Sequence, residues 1–317
     1  MNGYDHRPEG VRSVSPNPQK RDLETSLENQ ARSGREHPSY PTVPAWKSVP
    51  PLATLNPLKT EQTKRLIITG TRKGGTGKSF FLAHLADWFE HHQVNYVALD
   101  PDWVNGSLSR FLPNARFIDF SSEQATQEIL SAFQETDIVI MDGMGPAQAY
   151  LFDWLKNADF LNPDNPTPIA VTIALLIEED KDCVYQAGEA AHSLDNQVEW
   201  LVIRNLKTCS TTEIYDQSNA RQELLRRDAQ EIQIERLPWN LLLLMQRTSR
   251  TIGDLIEDAD LTILERQRLR SYQTRFFGQL ESVRASLMPR SIRRAPTKRF
   301  TQDPSRVARP RIAPEQV

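Results

Sequence analysis

The sequence predicts an α/β fold with a doubly wound, mostly parallel sheet flanked by helices. Short runs rich in Val, Ile and Leu alternate with amphipathic helical patterns, which is typical of parallel strands buried on both faces. The first such run and the first helical pattern are joined by a glycine-rich stretch, Thr71-Arg72-Lys73-Gly74-Gly75-Thr76-Gly77-Lys78-Ser79. Strand, glycine loop and helix in this order are typical of a phosphate-binding loop.

Each predicted strand is a short apolar run, and each predicted helix carries apolar residues at helical spacing. The strands are expected at 65–70, 95–99, 116–119, 137–141, 168–176, 199–204 and 231–235. The helices are expected at 79–91, 122–134, 147–157, 182–194 and 213–227. Ligands bind beyond the carboxyl ends of parallel strands, so we expect the loops after residues 70, 99, 141 and 204 to form one site.

A long helical pattern from Leu261 to Leu287 ends the series, with Asp260 as the expected N-cap. Its apolar stripe predicts packing on the core rather than a partner or membrane helix. The stripe consists of Ile263, Leu269, Tyr272, Phe276, Leu280, Val283 and Leu287.

Proline and charge divide the chain into three parts. Nine of the 21 prolines lie in residues 1–60 and five in 289–317. We therefore expect a disordered Pro-rich N-terminal tail (1–60), one folded domain (61–288) and a disordered basic C-terminal tail (289–317). The formal net charges of these parts are +2, −11 and +6. The acidic domain argues against a broad nucleic-acid surface, whereas the basic tail is suited to phosphate contacts.

The remaining composition favours a cytoplasmic protein without a membrane span. Cys183 and Cys209 lack metal-ligand spacing and are expected to be reduced. The first 30 residues hold no apolar stretch of the kind found in a secretory signal. The run from Ile169 to Ile177 is far shorter than the ~20 residues of a membrane helix. The histidines, including His91-His92, are read as exposed polar residues.

The glycine loop predicts a nucleotide site in which different residues contact the phosphates and the metal. Its backbone N–H groups and the following helix dipole suit an anion. Lys78 is expected to reach the β- and γ-phosphates, and the Ser79 hydroxyl to ligate Mg²⁺. The expected nucleotide contacts are Gly74, Gly75, Thr76, Gly77, Lys78, Ser79 and Phe80.

The loop departs from the strict G-x-x-x-x-G-K-[ST] pattern because Arg72 stands at the first glycine, and it carries a second lysine, Lys73. It resembles the deviant phosphate loop of the ParA/MinD family of ATPases. That resemblance implies MgATP binding, slow hydrolysis and an ATP-dependent homodimer in which Lys73 crosses to the partner's nucleotide. The alternative is a glycine-rich turn with incidental lysines.

Carboxylates follow two of the predicted strands. Asp100-Pro101-Asp102 follows the second strand and resembles the first switch of ParA-type ATPases, which implies that Asp102 orients the attacking water and Asp100 helps to hold Mg²⁺. Asp142 ends the strand 137–141, as a Walker B aspartate does, and is expected to contact Mg²⁺ through water. Gly143 and Gly145 would give a mobile second switch. The alternatives are an ordinary Asp-Pro-Asp turn and a capping Asp.

Two further features resemble the base-binding side of the same family. Asn205 ends the strand 199–204, where the family's asparagine reads the adenine edge, and an amide can both donate to and accept from adenine. Leu237-Pro238 resembles the loop that covers the base. A lone Asn at a strand end is otherwise a turn residue.

A narrower resemblance covers most of 61–288. Asp-x-Asp-x-Val-Asn at 100–105, with Gly253-Asp254-Leu255 and the segment 261–269, is similar to the TraL-type accessory ATPases of plasmid conjugation. It implies a role in plasmid DNA transfer or partition, with a protein partner of such a complex and a nonspecific DNA contact through the C-terminal tail. The rival hypotheses are a non-hydrolysing nucleotide-dependent scaffold acting through its tails, and a ligase or reductase component on the same fold. A tyrosine kinase of this superfamily would carry a tyrosine-rich tail, which 289–317 is not.

Overall fold

A computed structural model describes residues 64–102, 105–120, 122, 124–143, 148–158, 160–162, 169–194, 197–207, 209–289 and 292. They contain one parallel sheet of seven strands in the order β3-β2-β4-β1-β5-β6-β7. The strands are β1 (Lys64–Thr69), β2 (Val97–Asp100), β3 (Arg116–Phe117), β4 (Ile138–Met141), β5 (Ile169–Ile177), β6 (Glu199–Asn205) and β7 (Gln230–Ile234). The predicted fold class, a parallel sheet flanked by helices, is confirmed.

Helices cover both faces of the sheet. The first face carries α1 (Lys78–His91), α7 (Trp239–Thr248), α8 (Ile252–Ile256), α9 (Ile263–Ser282) and α10 (Arg284–Leu287). The second carries α2 (Ala125–Glu135), α3 (Gln148–Asn157), α4 (Lys181–Leu194), α5 (Glu213–Asp216) and α6 (Asn219–Arg226). Residues alternate between the two cores along each strand: Ile67 packs on the first face, while Leu66 and Ile68 pack on the second. This explains why the strands read as continuous apolar runs.

Three predictions about helices were wrong in detail. The pattern 213–227 is two helices, because Ser218 caps a new one by accepting a hydrogen bond from the Arg221 N–H. The N-cap of α9 is Thr262 rather than Asp260, since Thr262 and Glu265 form a reciprocal capping box. Ile263, assigned to the core stripe, is 87 % exposed because it lies in the first turn, beyond the packed part of the helix. Helices α7 and α8 were not predicted.

A buried arginine joins the middle of the sheet to α10. Arg65 in β1 is 1 % exposed, and its guanidinium donates to the Thr172 hydroxyl at 2.8 Å and to the Ala285 carbonyl at 3.2 Å. It also pairs with the Glu199 carboxylate at 2.9 Å. The last described turns of the chain are thereby bonded to the central strand.

The predicted N-terminal tail and nearly all of the predicted C-terminal tail lie outside the described residues, so their boundaries stay predictions. Within the described part of the chain, every helix is too short or too polar to cross a bilayer.

Candidate functional site

The loop between β1 and α1 is anchored at its start by β5. The Gly70 N–H donates to the Ala174 carbonyl at 2.8 Å. The Thr71 hydroxyl donates to the Leu176 carbonyl at 3.0 Å and accepts from the Leu176 N–H at 2.8 Å. The loop therefore leaves the sheet at a fixed point, between the carboxyl ends of the two central strands.

At its far end the loop requires glycine. Gly77 has φ +90°, and a Cβ there would lie 2.8 Å from the Asn205 side-chain nitrogen. Helix α1 begins directly afterwards, with the Phe81 N–H bonded to the Gly77 carbonyl at 2.9 Å. The free N–H groups of its first turn and the positive end of its dipole lie at the loop, an arrangement suited to an anion.

The Lys78 side chain folds back across the loop. Its ammonium donates to the Lys73 carbonyl at 2.9 Å. Burial lowers the pKa of Lys78, and the nearby carboxylates of Asp142 and Asp102 oppose this shift. A half-buried cation whose hydrogen bond goes to a neutral carbonyl is well placed to exchange that partner for a phosphate oxygen.

Ser79 and Asp142, two of the three predicted metal ligands, lie together. The Ser79 hydroxyl donates to one carboxylate oxygen of Asp142 at 2.5 Å, and the Thr69 hydroxyl donates to the other at 2.9 Å. Asp142 is 6 % exposed, and burial raises its pKa although these two hydrogen bonds and Lys78 lower it.

This pair of oxygen donors fits Mg²⁺, which proteins bind with one or two carboxylates together with substrate phosphates and water. The described residues hold no cluster of three or more His, Cys, Asp or Glu suited to a metal by themselves. A metal at Ser79 and Asp142 would therefore depend on the nucleotide for most of its ligands.

Gly143, directly after Asp142, is needed for close approach of two strands. A Cβ there would lie 1.7 Å from the Thr69 carbonyl oxygen, and the Gly143 N–H donates to the Thr69 hydroxyl at 2.7 Å. Thr69 thus holds both Asp142 and Gly143 at the end of β1. The second-switch residue Gly145 lies outside the described residues.

Asp100, the third predicted metal ligand, is 2 % exposed and organises the segment that follows β2. One of its oxygens accepts from the Leu108 N–H, the Ser109 N–H and the Ser109 hydroxyl at 3.1, 2.9 and 2.8 Å. The other accepts from the Asp102 N–H at 3.0 Å. The carboxylate therefore fixes the backbone on which Asp102 stands.

Asp102 is half-buried and faces its own turn. Its carboxylate accepts from the Asn105 backbone N–H at 3.0 Å and from the Asn105 side-chain amide at 3.0 Å. Its charge acts on Lys78, so it lies on the loop side of the sheet. Its orientation of a water molecule stays a prediction.

Lys73 is held by its own chain. Its ammonium pairs with the Asp180 carboxylate at 2.8 Å, and that hydrogen bond raises the pKa of Lys73. Asp180 lies between β5 and α4. The backbone N–H groups of Arg72 and Lys73 both donate to the Gln186 side-chain oxygen on α4, at 3.1 and 3.2 Å.

Asn205 is fully buried beneath the loop. Its amide nitrogen donates to the Thr76 carbonyl at 2.7 Å, and its amide oxygen accepts from the Lys207 N–H at 3.1 Å. The side chain therefore joins β6 to the loop, and its predicted contact with a base is not tested by this geometry. Phe80 is 6 % exposed, with the Lys207 ammonium 5.3 Å from its ring centroid.

Sequence reasoning missed the loop after β5. It had assigned the site to the loops after residues 70, 99, 141 and 204, yet Asp180 and Gln186 also contact Lys73 and its neighbour. The rule about carboxyl ends of parallel strands applies equally to β5, which pairs directly with β1, and would have found Asp180. Nothing in the sequence points to Gln186, which is 114 residues from Arg72.

Comparison with known proteins gives a weak likeness. No protein-family model matches the chain, and no curated protein matches it. Among solved structures, the chain is similar to the MinD cell division protein of Aquifex aeolicus, with 14 % identity, a TM-score of 0.40, and coverage of 68 % of this chain and 98 % of that one. It is also similar to a proposed plasmid partition protein of Borrelia burgdorferi B31 bound to AMPPNP (14 % identity, TM-score 0.40, 67 % and 99 % coverage).

A third similar structure is the signal recognition particle receptor FtsY of Elizabethkingia anophelis (14 % identity, TM-score 0.38, 70 % and 68 % coverage). At these identities and TM-scores we infer nothing about activity from the three proteins.

Proposed function

We propose that this protein is a ParA/MinD-like ATPase that binds MgATP, forms a dimer with nucleotide between the protomers, and hydrolyses ATP slowly as a switch. The observation that carries the proposal is the meeting of Ser79 and Asp142 at 2.5 Å beside the N-terminus of α1, with Lys78 folded over the same loop. A helix N-terminus, a half-buried lysine and a hydroxyl–carboxylate pair together suit a nucleoside triphosphate and its metal.

We expect MgATP to bind because the side chains at the loop can exchange their present hydrogen-bond partners for the nucleotide and its metal. Lys78 gives up the Lys73 carbonyl for the β- and γ-phosphate oxygens. Ser79 and Asp142 would hold Mg²⁺, with Asp100 helping to hold its ligand shell, and the bound ion would neutralise charge on the transferred phosphoryl group. Asp142 keeps its second oxygen on Thr69, which limits its motion as the ligand arrives.

Turnover is assigned to Asp102. Its half-buried carboxylate follows β2 and its charge acts on Lys78, whereas the buried Asp100 carboxylate accepts four hydrogen bonds from its own segment. Proteins catalyse phosphoryl transfer largely by positioning the reactants, and a fixed carboxylate can orient the attacking water. Asp100 supports this by fixing the Asp102 backbone.

The dimer is assigned to Lys73. Its ion pair with Asp180 is partly solvent-exposed, with 36 % and 31 % of the two side chains accessible, and an ion pair that reaches solvent is readily exchanged. A partner's nucleotide offers a stronger, more highly charged acceptor.

For the cellular role we propose plasmid DNA transfer or partition, in keeping with the conjugation-type motifs at 100–105 and 253–255.

The proposal is tested by ATP turnover and MgATP affinity in matched variants. Ser79→Ala and Asp142→Asn should each weaken MgATP binding by about tenfold or more, since the first removes the hydroxyl ligand and the second removes the negative charge of the carboxylate. Ser282→Ala, an exposed serine on α9, is the control and should bind as the parent does. Equal affinity in all four proteins would reject the site.

Turnover separates the proposal from its rival. A parent protein that binds MgATP and releases phosphate at a rate that Asp102→Ala abolishes is a switch ATPase. A parent that binds MgATP without releasing phosphate is the non-hydrolysing scaffold.

A further inference from the structure

Helix α4 holds the first half of the phosphate loop through three side chains. Gln186 accepts from the backbone N–H groups of Arg72 and Lys73 at 3.1 and 3.2 Å. Asp180, just before the helix, pairs with the Lys73 ammonium at 2.8 Å. Glu189, one turn after Gln186, bonds the Arg72 guanidinium.

Gln186 differs from the other two because it holds the backbone. A single amide oxygen has two lone pairs and can accept from two successive N–H groups, which the amide nitrogen cannot do. Both donors would otherwise lie at the rim of the loop without a partner from the sheet, because the contacts with β5 end at Thr71.

The position of this contact matters because the chain is unsupported directly after it. Gly74 and Gly75 are exposed, and a Cβ added at either would meet nothing within 4 Å. The loop becomes fixed again only at Thr76, whose carbonyl accepts from Asn205. The Lys73 carbonyl is also bonded, but from within the loop and α1, by the Thr76 hydroxyl at 3.3 Å and the Lys78 ammonium at 2.9 Å. Gln186 is therefore the contact from a neighbouring helix that holds the Lys73 backbone just before the glycine tip.

We propose that Gln186 is the positioning residue for Lys73: by bonding the Arg72 and Lys73 N–H groups it sets the direction in which the Lys73 ammonium leaves the loop. This inference deepens the proposed function and rests on it, since Lys73 has to reach a partner's nucleotide. It assigns to Gln186 an effect on the ATP-dependent dimer and little effect on ATP binding by one protomer. The residues that Gln186 bonds, Arg72 and Lys73, precede the glycine tip, whereas Lys78 and Ser79 follow it and Asp142 follows β4.

A purely structural glutamine would behave differently. Gln186 is half-buried on a surface helix, and alanine is the best helix former. If the side chain merely supported the fold, its loss would lower the melting temperature and leave the affinity of the two protomers unchanged.

The experiment compares Gln186→Ala, Gln186→Glu and Gln222→Ala in the full chain. Gln186→Glu keeps an oxygen that accepts from both N–H groups, and Gln222→Ala removes an exposed glutamine from the neighbouring helix α6. MgATP affinity is measured by calorimetry at protein concentrations below the dimer range. Dimer dissociation is measured by analytical ultracentrifugation in MgATP.

We expect Gln186→Ala to bind MgATP within about twofold of the parent and to dimerise about tenfold more weakly, the scale of two lost backbone hydrogen bonds. Gln186→Glu and Gln222→Ala should dimerise as the parent does. A Gln186→Ala dimer as tight as the parent's would overturn the inference, and so would loss of ATP binding itself. A parent that fails to bind ATP or to dimerise would instead reject the proposed function.

Discussion

Asp87 lies one helical turn after His84 on α1, both side chains are buried, and burial moves their pKa values in opposite directions. The pKa of Asp87 rises to about 7, against hydrogen bonds from the Thr251 hydroxyl and the Gly253 N–H. The pKa of His84 falls to about 4, although its ring N–H donates to the Phe80 carbonyl. Burial on the same helix therefore favours the neutral form of each group.

The two groups give stability–pH slopes of opposite sign. Asp87 stabilises the fold below pH ~4, and that contribution is lost as the pH rises to about 7, because only the unfolded chain ionises easily in this window. The contribution of His84 is present above pH ~6.5 and is lost as the pH falls to about 4. Each effect is on the order of 3 to 4 kcal/mol, so the two largely cancel.

In Asp87→Asn, the pH dependence of the free energy of unfolding should be set by His84, because the opposing contribution of Asp87 is gone. We expect its free energy of unfolding to rise by roughly 3 kcal/mol between pH 4 and 6.5, while the parent changes much less. Urea denaturation at half-unit pH steps measures this. His84→Gln is the counterpart and should lose stability as the pH rises over the same range. If the free energy of unfolding of both variants changed as little with pH as that of the parent, the pH dependence would not come from Asp87 and His84.

Lys78→Ala should abolish detectable MgATP binding, because it removes the cation that faces the phosphates and leaves the remaining loop intact. Calorimetry measures the binding, and an unchanged far-UV circular dichroism spectrum controls for folding. Lys156→Ala, a lysine on α3 that bonds Ser193, is a matched control and should bind as the parent does. Retained affinity in Lys78→Ala means that the site is wrongly assigned.

Asp102→Ala and Lys73→Ala should move the dimer in opposite directions. The first should lengthen the life of the ATP-bound dimer, since the attacking water is no longer oriented. The second should weaken that dimer and leave ATP binding by single protomers largely intact. Light scattering in ATP and in ADP measures both. A protein that is monomeric in every nucleotide state would rule out the dimer switch.

The predicted C-terminal tail carries eight cations, at Arg290, Arg293, Arg294, Lys298, Arg299, Arg306, Arg309 and Arg311. If all of them contact DNA phosphates, log K should fall against log salt with a slope of roughly −7, and ATP should strengthen binding by presenting two tails per dimer. Fluorescence anisotropy across a salt series measures the slope. An unchanged slope after deletion of 289–317 would exclude the tail as the DNA contact.

The centre of the sheet was predictable because its strands are buried on both faces and therefore read as apolar runs, as in Ile169–Ile177. The edge strand Arg116–Phe117 is exposed. The proximity of Ser79 and Asp142 was predictable for a related reason: both follow strands, and parallel strands bring their carboxyl ends to one edge. The fold and the position of the loop thus follow from local patterns.

The remaining features depend on pairs that are distant in sequence. Asn205 was placed correctly at the end of β6, but its hydrogen bond to Thr76, 129 residues away, is set by tertiary packing. Helix α8 was missed because it is five residues long, and its N-cap Thr251 is also a donor to Asp87, 164 residues earlier. No pattern within a window of 10 to 20 residues contains such information.

The bond between Arg65 and Ala285 has a consequence for synthesis. The two residues are 220 positions apart, and elongation at about 5–20 residues per second separates their appearance by on the order of 10 to 40 seconds. Until α10 leaves the ribosome, the Arg65 guanidinium in β1 lacks one of its acceptors. A chain ended at Val283 should accordingly unfold at a lower urea concentration than the parent, and one that unfolds identically would refute the dependence. The central strand therefore completes its packing only when a segment made 220 residues later has been translated.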